Sequence, residues 1–230
     1  MPFFFDWTIV LLIPAAILAF YAQSRVRNAY RKYTQIPVHS GRTGREIAEF
    51  LLSANGIHDV AVVPVRGYLG DHYDPRGKHV ALSPENYEGA SVGASAIAAH
   101  EVGHAMQDAQ HYTPLRIRST ILPVSNIGSQ LSFPLFFVGL LFGSGPLAVL
   151  MDVGIALFVL AVLFQVVTLP VEFDASKRAL AQLRAHAILS PDELAGGRKM
   201  LQAAALTYVA ATAMALVNLL RLVILRNSRD

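Results

Sequence analysis

The chain has 230 residues, is 53% hydrophobic and 15% charged, and carries a formal net charge of +3 with no cysteine. Apolar residues in that proportion, gathered in long blocks, exclude an ordinary soluble domain and point to membrane spans. The lack of cysteine excludes disulfides, thiolate metal ligands and a cysteine nucleophile, and the mildly basic balance beside apolar blocks marks a membrane face rather than a nucleic-acid surface.

The first apolar block covers residues 7–23, with Asp6 before it and Arg25, Arg27, Arg31 and Lys32 after it. A cleaved signal peptide carries its positive charges ahead of the apolar run. This block therefore reads as a retained anchor (residues 1–23) whose basic side is cytoplasmic, with Trp7 and Tyr21 as interfacial aromatics. Residues 24–119 form the main polar section. A helix is expected over 43–55: Thr43 and Glu46 make a capping box, Ile47, Phe50, Leu51 and Ala54 share a face, and Gly56 ends it. Strands are expected at 60–65 and 78–83, joined by a Gly-, Asp- and Pro-containing loop at 67–77. Small residues over 91–99 lead into a helix that reaches about Gln110.

No Lys or Arg lies between Arg118 and Lys177, and the acids there are Asp152, Glu172 and Asp174. The stretch at 120–170 holds two spans, about 124–142 and 147–169, with Gly143, Ser144, Gly145 and Pro146 as a tight connection. A polar helical segment follows within 171–199, and Ser190, Pro191 and Glu193 mark a strong new helix start. The last apolar run, about 200–225, closes the chain in a C-terminal membrane helix (200–230). If that run crosses, Arg226 and Arg229 lie outside, against the positive-inside bias; a partly interfacial helix or a reversed orientation are the alternatives. Asp152 within a span is costly in lipid and calls for a partner or water. No internal repeat is evident.

The chemistry is carried by His100-Glu101-Val102-Gly103-His104, an H-E-x-x-H pattern. On a helix, positions four apart share a face, so both imidazoles can bind one ion, and Glu101 can reach a water at the ion as general base. Zn2+ suits that set, because it lowers the pKa of such a water and polarises a carbonyl. A catalytic zinc takes three protein ligands. Asp108 lies one turn further along the face, but three ligands on one straight helix give poor tetrahedral geometry. His111 requires the chain to turn back, and Gln107 stands where a glycine would help it do so. Glu172 is separated from His104 by two crossings, which return it to the same membrane side, and that topology favours Glu172.

The run H-E-V-G-H-A, two spans, and then Glu172-Phe173-Asp174-Ala175-Ser176 resembles the YugP-like membrane-bound neutral zinc metallopeptidases, similar in turn to the HtpX and CAAX prenyl protease group. Tyr73-Asp74-Pro75, Leu82-Ser83-Pro84 and the run from Ala203 to Val209 extend the likeness over nearly the whole chain. The resemblance implies a mainly α membrane protein: about four transmembrane helices and a small α+β zincin-like metallopeptidase domain. It implies a gluzincin-type zinc peptidase in a bacterial-type cell membrane, with His100, His104 and Glu172 as ligands and Glu101 as catalytic base. In the HtpX group an Asp follows the ligand Glu by four residues; here Ser176 holds that position and Asp174 comes two residues after Glu172, where it is a candidate to orient a ligand histidine.

The strand at 78–83 is expected to be an edge that receives an extended substrate. Tyr73, His72, His79 and Tyr208 are candidates to stabilise an oxyanion. The expected partners are a peptide or membrane-protein substrate and the lipid bilayer, with no nucleic acid. Two rival functions remain. An intramembrane site-2-type protease would place the motif in an apolar span, which Gln107, Asp108, Gln110 and His111 disfavour. A non-catalytic zinc-binding membrane scaffold or assembly factor has no need of Glu101.

Overall fold

The structure, a computed structural model, describes residues 7–67, 70–142 and 145–228. Asp6, Gly143, Ser144 and Arg229 lie outside the described residues. Seven α-helices and three short strands are found among them: α1 Leu12–Tyr33, α2 Gly44–Ala54, β1 Ala61–Pro64, β2 His72–Asp74, β3 His79–Leu82, α3 Pro84–Tyr87, α4 Val92–Ala109, α5 Thr113–Phe142, α6 Val149–Ala185 and α7 Pro191–Asn227. They divide into two units. One comprises Met1–Ala22, Ile117–Leu169 and Thr207–Asp230; the other comprises Gln23–Arg116 and Pro170–Leu206.

The first unit is a set of apolar helical segments. Four helical stretches among the described residues are long and apolar enough to cross a membrane: Trp7–Tyr33, Thr113–Phe142, Pro146–Ala185 and Pro191–Asn227. Phe136 of α5, Met151, Phe158 and Val162 of α6, and Leu222 of α7 form its buried cluster. Helices α5 and α6 approach so closely that a Cβ added at Gly154 would lie 2.6 Å from the Ser132 carbonyl oxygen. Small residues allow such backbone contact where lipid supplies no hydrophobic drive between helices. Asp152, in the first turn of α6, accepts a hydrogen bond from Arg226 Nε at 2.9 Å, and Arg226 sits in the last turn of α7. Each charge occupies the helix end that the backbone dipole favours, and each offsets the other.

The second unit carries the polar section. Helix α2 forms as its sequence dictates: Thr43 Oγ1 accepts from the Glu46 amide at 3.2 Å and Glu46 Oε2 accepts from the Thr43 amide at 2.8 Å. Gly56, at φ +69°, ends it. Its buried face is Ile47, Ala48, Leu51 and Leu52; Phe50 and Ala54 point outward, Phe50 lying edge-on to His186. That face joins Val80 and Leu82 of β3, Ala98, Val102 and Ala105 of α4, and Ala179 and Leu183 of α6 in one core. Helix α4 is capped by Ser91 Oγ, which accepts from the Ala94 amide at 3.1 Å. The small residues at 92–99 are thus the first turns of the helix, and their size lets it be buried on nearly every side.

Three boundaries differ from the sequence expectation. The three strands form one sheet in the order β1-β3-β2, with β1 parallel and β2 antiparallel to β3. The strand expected at 78–83 to be an edge is therefore central, and β2, inside the expected loop, is an edge. Its His-Tyr-Asp composition has no apolar alternation and reads as a turn; it becomes a strand because β3 offers unpaired backbone groups. The span expected at 147–169 and the polar helix after it are one helix, α6, which runs through Pro170. The helix begun at Ser190 likewise continues without a break into the last apolar run. At 37 residues each, α6 and α7 are about 55 Å long, well beyond the ~30 Å of a bilayer core.

Replacing Thr43 with Ala removes one half of the capping box and is expected to cost about 1 kcal/mol locally. Hydrogen exchange of the α2 first-turn amides should then be roughly fivefold faster, with amides of α4 unchanged.

Candidate metal centre

Helix α4 presents His100 and His104 one turn apart, their rings edge-on with centroids 4.8 Å apart. The partner comes from α6. Glu172 Oε2 lies 3.3 Å from His100 Nε2 and 3.7 Å from His104 Nε2. One donor atom from each of the three residues falls within 4.8 Å of the others, the one such group of His, Asp and Glu among the described residues. Two ligands about 2.1 Å from a tetrahedral zinc stand about 3.4 Å apart. The two histidine-to-glutamate spacings lie close to that edge length, and two imidazole nitrogens with a carboxylate oxygen are a donor set that suits zinc. His104 and Glu172 are buried, and His100 is nearly so.

The crossing of α4 and α6 depends on Gly103. A Cβ at that position would lie 2.6 Å from the Ala175 carbonyl oxygen, a backbone atom that cannot step aside cheaply. The glycine inside the H-E-x-x-H run thus admits the α6 backbone, three residues beyond Glu172, against the helix that bears the histidines.

Glu101 is buried on the same helix. Burial pushes its carboxyl up to about 7, the Glu172 and Asp71 carboxylates push the same way, and His100 and His72 oppose them. A carboxylate poised near neutrality is suited to exchanging a proton with water. Asp71 is itself fixed at the start of β2, accepting hydrogen bonds from the Ser83 amide at 2.7 Å and from Asn86 Nδ2 at 2.9 Å.

The chain belongs to the neutral zinc metallopeptidase family. Residues 8–227 match the family model described as "Putative neutral zinc metallopeptidase". The chain is also 47% identical over 223 residues to the "Putative membrane protease YugP" of Bacillus subtilis (strain 168), a match covering 96% of this chain and 98% of that one. No solved structure matches it. With four apolar helices of spanning length, the protein is an integral membrane member of a zinc peptidase family, and the His100, His104 and Glu172 group is fit to hold that metal.

The other sequence candidates stand outside the group of three donors. Asp108 Oδ2 accepts from the Tyr73 hydroxyl at 2.7 Å and from Lys78 Nζ at 2.8 Å. Burial pushes the Asp108 carboxyl up, but the Lys78 and Tyr73 hydrogen bonds outweigh it and hold it below the ordinary range. Asp108 thereby ties β2 to α4 and stands outside the donor group, as does His111, which takes a left-handed turn residue conformation (φ 54°) after α4. Tyr73 is committed to Asp108. His72 donates from Nδ1 to Gly70 O (2.8 Å) and its ring lies 6.0 Å from that of His79. Tyr208 belongs to α7 in the other unit. Ser176, at the position where the HtpX group carries an acid, lies 3.2 Å from His100 Nδ1. Gln107, which stands where a glycine would help the chain turn back toward His111, lies 3.0 Å from His104 Nδ1.

Gly103→Ala is expected to force α4 and α6 apart and destabilise the fold by about 1–3 kcal/mol. The check is zinc retention during dialysis against a chelator: the variant should lose metal under conditions where the unaltered protein keeps it.

Proposed function

We propose that the protein is a gluzincin-type zinc endopeptidase that cleaves peptide bonds in membrane proteins or in peptides close to the bilayer surface. The observation that carries this reading is the meeting of three donor groups, His100, His104 and Glu172, within 4.8 Å of one another, with Glu172 Oε2 3.3 and 3.7 Å from the two imidazole nitrogens, on the helix that also carries the buried carboxylate of Glu101. Zinc held by these three side chains supplies a Lewis acid that polarises the scissile carbonyl and acidifies water. Glu101 takes a proton from the attacking water at its carboxylate and returns it to the amide nitrogen as the C–N bond breaks and the new C–O bond stands. Burial suits Glu101 to both halves of that cycle, since a carboxyl near 7 can accept and release a proton at neutral pH.

The edge of β2 that no described strand pairs with is the proposed place for an extended substrate to add its backbone, because Tyr73 of that strand is bonded to α4 four residues beyond His104. His72 of β2 is a candidate to stabilise the oxyanion, since the neighbouring Tyr73 is already bonded to Asp108. A cytoplasmic active site is supported by Arg25, Arg27, Arg31 and Lys32 after the first apolar block. The Asp152 partnership of Arg226 weakens the objection raised by a basic C-terminus on the far side. Against an intramembrane protease stands α4 itself, which is not among the four described helical stretches of spanning length and hydropathy.

Glu101→Gln is expected to keep the zinc and lower peptidase activity about 10²- to 10⁴-fold. Purified full-length protein acting on a denatured membrane-protein substrate measures this, with metal content determined on the same samples. Activity unchanged by the substitution would refute the mechanism.

A further inference from the structure

Gln107 is completely buried, three residues after His104 on α4, and every polar atom of its side chain is engaged. Its amide nitrogen donates to the Val171 carbonyl oxygen at 2.8 Å and to Asp174 Oδ2 at 2.9 Å. A main-chain carbonyl and a carboxylate are acceptors only. The amide therefore has one permitted orientation, because a flipped side chain would set its oxygen against two oxygens. With the nitrogen committed, Oε1 faces His104 Nδ1 at 3.0 Å and accepts its proton. His104 is thereby held with hydrogen on Nδ1 and a lone pair on Nε2, the atom that faces Glu172. An imidazole in water prefers the opposite tautomer, with hydrogen on Nε2, which blocks that nitrogen as a ligand.

The same amide brackets Glu172 in sequence, holding the residue before it and the residue two after it. Asp174 is itself secured by Arg178, whose Nε donates to it and whose Nη1 donates to Gln110 on the motif helix. We propose that Gln107 is the positioning residue of the metal centre: its amide sets the tautomer of His104 and fixes the stretch of α6 that delivers Glu172. This rests on the reading of His104 and Glu172 as zinc ligands. Asp174 then orients a ligand histidine at one remove, through Gln107, and Ser176 does so directly for His100.

A glutamine that merely stapled two helices would affect stability and nothing at the imidazole. The test uses full-length protein in detergent and the variant Gln107→Met, which keeps length and apolar packing while removing all three hydrogen bonds. Nitrogen-15 NMR of the metal-free protein at mildly alkaline pH reads the His104 tautomer, with His104→Ala assigning the signal. Zinc affinity is measured by competition with a chelator. The expected result is an Nδ1–H tautomer in the unaltered protein, a shift toward Nε2–H in Gln107→Met, and zinc binding weakened about 10- to 100-fold. An unchanged tautomer or an unchanged affinity in Gln107→Met, with zinc binding abolished in His104→Ala, overturns the role of Gln107 and leaves the ligand set intact. Undiminished zinc binding in His104→Ala overturns the ligand reading and the proposal with it.

Discussion

The close crossing of α4 and α6 at Gly103 is the constraint on which the metal centre depends. Two histidines one turn apart on a helix offer two ligands on one face, and no third side chain of the same straight helix completes a tetrahedron. The third must come from another backbone close enough for a glutamate to reach. Gly103 makes room for the Ala175 carbonyl, and Glu172, one turn earlier on α6, lands 3.3 and 3.7 Å from the two imidazole nitrogens. A carboxylate this deeply buried has lost its water and needs compensation. A divalent cation held with the two imidazoles would supply it, so the geometry that buries Glu172 is one that would favour metal.

Around this crossing the side chains form a graded support. His104 is held by Gln107, Gln107 by Val171 and Asp174, and Asp174 by Arg178, which returns to α4 through Gln110. Asp108, also on α4, holds β2 through Tyr73 and the turn before β3 through Lys78. The candidate ligands, the base and the strand offered to substrate are thus all referred to one buried helix, α4, whose small residues allow it to be packed on nearly every side. A site built on helices and locked by buried hydrogen bonds is held more tightly than one built on loops.

Much of this was legible in the sequence, for identifiable reasons. The H-E-x-x-H spacing is a direct projection of helical periodicity, the capping boxes at Thr43 and Ser190 are local, and the apolar blocks announce themselves by composition. The pairing of His104 with Glu172 followed from topology and from family resemblance together. What stayed hidden depends on a partner distant in sequence. Strand β2 has no strand-like pattern of its own and exists because β3 is beside it. The edge role given to 78–83 failed for the same reason, since the occupant of its second side was not recognisable. The change from apolar to polar composition after residue 169 suggests two separate segments, yet α6 runs through both. Gln107 and Gly103 carry no chemistry alone, and their importance appears only when α6 lies across them.

The central claim is that a residue of α6 completes a zinc site begun on α4, and replacing Glu172 tests it most directly. Full-length protein and Glu172→Ala, purified side by side and dialysed against a zinc chelator, are to be compared by metal analysis. About one zinc per chain retained by the unaltered protein and little or none by Glu172→Ala is the predicted result. Full zinc occupancy in Glu172→Ala, with the protein folded, would contradict the account.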